Sequence, residues 1–159
     1  MVNIVIEVSK DLLILLIAAY TYWNFSYFRF RDPWQQGRVC VRQNVAMFLL
    51  HFVAYAVLFL KSEDERVILF YLAQVVFLAV YLGLYKVFYP LRSRLLVNNM
   101  CMLLCIGFVI LTRLDFDKAI RQFVIVAVSA LITWIIPFIL ERVWQLANIP
   151  WVYGFAGLA

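Results

Sequence analysis

Residues 67–89 read VILFYLAQVVFLAVYLGLYKVFY, and Pro90 follows them. One charge, Lys86, stands in this stretch, and it lies close to the end. A helix needs about 20 mostly apolar residues to cross roughly 30 Å of hydrocarbon. The run satisfies that requirement and lacks the strict alternation that a membrane barrel strand needs. It therefore reads as a membrane-spanning helix stopped by proline.

The same pattern recurs on both sides. Upstream, Ile4–Phe28 forms a first candidate span, uncharged from Leu12 to Trp23, with Glu7, Lys10 and Asp11 near its amino end. A second covers about Asn44–Leu60. Downstream come Leu95–Thr112 and Ala119–Leu140. A further apolar run, Trp151–Ala159, begins after Pro150. As a helix this last run rises only about 14 Å, half a membrane, and no polar cap follows it. The expectation is an all-α, polytopic transmembrane helix bundle of five full spans plus the start of a sixth, forming the amino-terminal piece of a longer chain. The acidic amino end, with no small-residue cleavage site after the first apolar run, argues against a signal peptide.

Composition agrees. Of the 159 residues, 67% are apolar and 14% charged, against about 45–50% and 25% for a soluble domain. Mean hydropathy is +0.93. A soluble enzyme, a DNA-binding module and a disordered chain are disfavoured. The three cysteines do not form a secreted disulfide framework. The net charge of +5 falls in two short clusters between apolar runs, which suits a membrane orientation signal and not a nucleic-acid partner. Arg29, Arg31, Arg38 and Arg42 face only Asp32 in segment 29–43. Lys86, Arg92 and Arg94 face no acid in segment 86–94. The positive-inside rule places both segments in the cytoplasm and the amino terminus outside, in a multi-pass plasma-membrane protein. Tyr20, Tyr22, Trp23 and Tyr27 fit an interfacial aromatic belt.

Polar residues within spans are the functional suspects. His51 in the second span and Gln74 in the third read as inter-helix hydrogen-bonding residues. Ser129 and Thr133, four apart on one helix face, can bond their own backbone or let helices approach. Cys101 and Cys105 share a face flanked by Met100 and Met102. A copper(I) site is conceivable there, but small apolar packing suits these residues better. No embedded carboxylate sits mid-span, which weakens a proton-coupled transporter. No catalytic residue, metal ligand set or cofactor-binding motif emerges from these positions.

From Asn98 the chain reads NNMCMLLCIGFVILTRLDFDKAIRQFVIVAVSALITWIIPFIL and then ERVWQLANIPWVYGFAGLA. This stretch resembles the start of the SEDS (shape, elongation, division and sporulation) family, the FtsW/RodA/SpoVE cell cycle proteins. Arg121-Gln122 matches the family's junction between outer loop and second span. Glu141-Arg142 with Trp144 matches its inner loop. Trp151-Val152-Tyr153 matches the opening of its third span. The chain departs from the family at Leu111–Leu114, where a Ser/Ala-rich turn is usual, and around Val126–Ser129, where a Gly is common. The resemblance implies two parts: an extra three-helix module at 1–94, and the start of the family core at 95–159. It implies a peptidoglycan glycosyltransferase that polymerises a lipid-linked disaccharide-peptide precursor alongside a class B penicillin-binding protein. The family's key acidic residue lies in a large outer loop further on, so Asp115 and Asp117 read as solvated loop charges. The matching residues Arg121, Gln122, Trp151 and Tyr153 are structural. Two other functions fit the residues: a membrane scaffold recruiting cell-envelope partners or anionic lipid through Arg29–Arg42, and a small transporter.

Overall fold

A computed structural model describes residues 2–89 and 93–142, with side chains described for 4–89 and 93–135. Five helices follow in order: α1 Val2–Arg29, α2 Pro33–Ser62, α3 Glu65–Phe88, α4 Arg94–Leu114 and α5 Phe116–Arg142. No strand occurs among the described residues. Four helical segments are long and apolar enough to cross a membrane: α2, α3, α4 and Phe116–Ile135 of α5. In α1, the strongly apolar stretch Leu12–Ala19 is short, with Glu7, Lys10 and Asp11 before it and polar or aromatic residues after it. The Trp151–Ala159 run lies outside the described residues, as do Trp151 and Tyr153 themselves.

The helices outrun the apolar segments, because hydrogen-bonded helix ends extend past the hydrocarbon. Segment 29–43, expected as a loop, shrinks to Phe30–Asp32, and Arg38 and Arg42 ride on α2. The Asp32 carboxylate accepts from the Trp34 N–H at 3.1 Å, and Pro33 fills the first helical position, where a missing N–H costs nothing. Glu63 ends α2 in the left-handed region (φ 53°), its N–H bonding the Phe59 carbonyl at 2.8 Å. Asp64 then caps α3 by accepting from the Arg66 N–H at 2.9 Å. Asp115 alone joins α4 to α5. Its N–H bonds the Leu111 carbonyl, and its carboxylate accepts the Lys118 N–H at 3.0 Å.

Residues 1–120 form one compact unit, and 121–159 a second. Within the first, α2 packs against α1, α3 and α4, and α3 also meets α4. The expected three-helix module and α4 share one core. Leu16 and Tyr20 of α1 meet Ala46, Met47 and Leu50 of α2, Leu78 of α3, and Val97, Cys101, Met102 and Cys105 of α4. The buried positions of α4 recur every three or four residues, which defines one face. Ala46, Cys101 and Cys105 are small, so the backbones can approach closely, as association in lipid requires. In the second unit, the Thr133 hydroxyl bonds the Ser129 carbonyl at 2.7 Å, the self-bonding arrangement.

Glu63 is the one non-glycine with positive φ among the described residues. An L-residue there costs roughly 1 kcal/mol that glycine does not. Glu63→Gly is expected to raise stability by about that amount, and Glu63→Val to lower it by more. Thermal unfolding in detergent would check both; a destabilised Glu63→Gly variant would contradict this turn.

Candidate functional site

Two polar clusters lie within the first unit, and α2 belongs to both. The lower one joins α1, α2 and α4. The Gln43 side chain is fully buried. Its Nε2 donates to Asn24 Oδ1 at 3.1 Å, and its Oε1 accepts from Asn98 Nδ2 at 3.2 Å. Asn98 Nδ2 also donates to the Cys40 carbonyl at 3.1 Å, and the Tyr20 hydroxyl donates to Asn99 Oδ1 at 3.0 Å. Asn24 Nδ2 closes the chain on the Tyr20 carbonyl at 3.3 Å.

Two helical turns along α2, about 12 Å away, sits the second cluster. His51 Nε2 and Gln74 Oε1 are 2.9 Å apart, so the two residues read separately from the sequence as inter-helix bonders bond each other. The Tyr55 hydroxyl donates to the same Gln74 oxygen at 2.9 Å and lies 2.8 Å from Thr112 Oγ1. Thr112 in turn donates to the Phe108 carbonyl at 2.7 Å. Tyr55 and Thr112 carry one hydroxyl proton each, yet three contacts call on those two protons. Among the described residues, His51 Nδ1 and Gln74 Nε2 find no partner, although both side chains are fully buried. The imidazole is held between rings, with centroids 4.8 Å from Tyr55 and 5.2 Å from Tyr71. Beside it, Phe52, Tyr55, Phe59, Ile68 and Tyr71 help line an apolar groove of about 270 Å³ between α2 and α3.

His51 and Gln74 stand near the middle of the apolar stretches of their helices. At that depth, inter-helix hydrogen bonds average about 0.6 kcal/mol each. An unmet buried donor or acceptor costs about 1–3 kcal/mol. The cluster is therefore a clamp between α2, α3 and α4 that is only partly satisfied. It contains no carboxylate. No three His, Cys, Asp or Glu residues group into a metal site among the described residues. Cys101 and Cys105 are fully buried in the core.

The other sequence candidates lie apart. Arg121 and Gln122 are exposed in the second unit. Glu7 pairs with Lys10 at 2.6 Å on an exposed face. Asp115 is not merely a solvated charge. The Lys118 N–H, then its side chain at 3.1 Å, hold its carboxyl below the usual carboxylate range. Sequence reasoning missed Asn24, Gln43, Asn98 and Asn99, because each falls near the end of an apolar run. Their shared level along antiparallel helices was the available signal. Comparison with models of known families, with curated proteins and with solved structures finds no match.

Gln74→Leu is expected to destabilise the bundle by about 1–3 kcal/mol, because His51 and Tyr55 lose their shared acceptor. A Tyr55→Phe, Thr112→Val double-mutant cycle is expected to give a coupling near 0.6 kcal/mol; zero coupling would remove that contact from the clamp. For Asp115, the folded-state value lies below the unfolded one. Its contribution is thus present above the ordinary carboxylate range and is lost as pH falls through the folded value. Asp115→Asn keeps a capping acceptor and is expected to flatten the acid limb of a stability–pH curve; an unchanged limb would exclude Asp115 as its source.

Proposed function

We propose that this chain is the amino-terminal membrane portion of a SEDS-type peptidoglycan glycosyltransferase, whose substrate is a lipid-linked disaccharide-peptide. The observation that carries the reading is the run from Asn98 through Arg121-Gln122 to Trp151-Val152-Tyr153. In its support, α4 and α5 are consecutive helices joined by Asp115, at the positions where the resemblance expects a first and a second span. In this reading α1 also crosses the membrane, the run after Pro150 begins a sixth span, and the basic segments face the cytoplasm. A class B penicillin-binding protein is the partner. The compact unit at 1–120, with its own core and two polar clamps, favours a second reading: a membrane scaffold that positions cell-envelope partners.

The native full-length product is the object to test. Purified in detergent with its class B penicillin-binding protein and given the lipid-linked precursor, it is expected to make glycan strands. No polymer from an intact complex would leave the scaffold reading. Orientation is checked separately. The native thiols Cys40, Cys101 and Cys105 are buried, so introduced cysteines can be read against a quiet background. In intact cells, an impermeant thiol reagent is expected to label Lys61→Cys and spare Arg31→Cys; the reverse pattern would invert the topology.

A further inference from the structure

The first unit is electrically lopsided along its helix axes. Arg29, Arg31, Arg38, Arg42, Lys86 and Arg94 lie at one end, contributed by all of α1 to α4 and the α1–α2 turn, with Asp32 the sole acid among the described residues there. At the other end, Glu7, Asp11, Glu63, Asp64, Glu65, Asp115 and Asp117 outnumber Lys10, Lys61, Arg66, Arg113 and Lys118. The positive-inside rule accounts for the sign of this difference. It does not account for a cavity.

A cavity of about 230 Å³ opens at the basic end, lined by Tyr27, Pro33, Gln36, Gly37, Cys40 and Arg94. Three helices build it. The Arg94 guanidinium lies close to α2 at Gly37: a Cβ built there would meet Arg94 Nη1 at 3.6 Å, an ordinary van der Waals contact. Beneath, the Cys40 carbonyl is already taken by Asn98, so the floor is fixed by the lower polar cluster. Asp32 is committed to the Trp34 N–H, and Arg38 stacks on Trp34 at 3.8 Å. No carboxylate pairs with Arg94 among the described residues. A guanidinium binds phosphate oxygens through paired N–H donors, and charge-assisted bonds of this kind are about twice as strong as neutral ones. The aromatic ring of Tyr27 and the membrane-surface depth suit a headgroup whose acyl chains stay in the bilayer.

We infer that this cavity is a binding site for the phosphate of an anionic phospholipid headgroup, with Arg94 as its principal ligand and Gly37 in its wall. The inference stands apart from the polymerase reading, because it concerns only the first unit and needs no turnover.

The test uses the full chain reconstituted in vesicles of phosphatidylcholine with phosphatidylglycerol, then released for native mass spectrometry to count retained phosphatidylglycerol. Arg94→Gln removes the charge at an exposed position that folding tolerates. Gly37→Leu fills the cavity and leaves every charge in place. Both are expected to cut retention about tenfold. Arg31→Gln removes the same charge from the same end without touching the cavity, and is expected to retain lipid as the parent does. Equal losses in Arg31→Gln and Arg94→Gln would reduce the effect to diffuse surface attraction and overturn the site, as would undiminished retention in both Arg94→Gln and Gly37→Leu. Displacement of the lipid by inorganic phosphate, beyond that by chloride at equal ionic strength, would reassign the cavity to a soluble phosphate and overturn the lipid assignment.

Discussion

The side of α2 that carries Gln43, His51 and Tyr55 is the constraint on which the bundle depends. In lipid, apolar side chains gain little by leaving acyl chains for one another. Helix association then rests on close packing and on polar groups that find partners only across an interface. Gln43 reaches α1 and α4, while His51 and Tyr55 reach α3, and Tyr55 also reaches α4. Between these two levels the small residues Ala46, Cys101 and Cys105 bring the backbones together. Specific bonds fix which helices meet, and dispersion fills the space between.

The two levels differ in completeness, and the difference has consequences. Around Gln43 the amides are well matched, so that level is suited to rigidity and fixes the floor beneath the Arg94 cavity. At the level of His51, an imidazole nitrogen and an amide nitrogen lack partners among the described residues, and two hydroxyl protons are called on by three contacts. In a low-dielectric interior, each unpaired group in such a cluster is costly. The bundle thus has a better-satisfied polar level near its basic end and a less satisfied one at mid-span.

How much of this was legible in the chain depends on the residue. The apolar runs marked the helices because burial in lipid demands length and apolarity, which are one-dimensional properties. Their ends were misplaced where caps decide them: Asp32-Pro33 begins α2 well before its apolar stretch, and Asp115 compresses an expected loop to one residue. His51 and Gln74 were recognisable as inter-helix bonders, because a polar side chain at mid-span needs a partner. That they were each other's partner was not, since pairing depends on the rotation of α2 against α3. Asn24, Gln43, Asn98 and Asn99 went unnoticed for a related reason: near the ends of apolar runs, water is an equally good partner by sequence alone.

The sequence by itself determined that the chain is helical, that several of its runs are long and apolar enough to cross a membrane, and that its charge is unevenly placed. These follow from composition and periodicity, which hydration energy reads residue by residue. Only the tertiary structure decided that α2 is the hub, that two polar clamps hold it, and that Arg94 lies over Gly37 at the rim of a cavity. Each of these joins residues far apart in the chain, and the joining is set by helix rotation and depth, which no local pattern encodes.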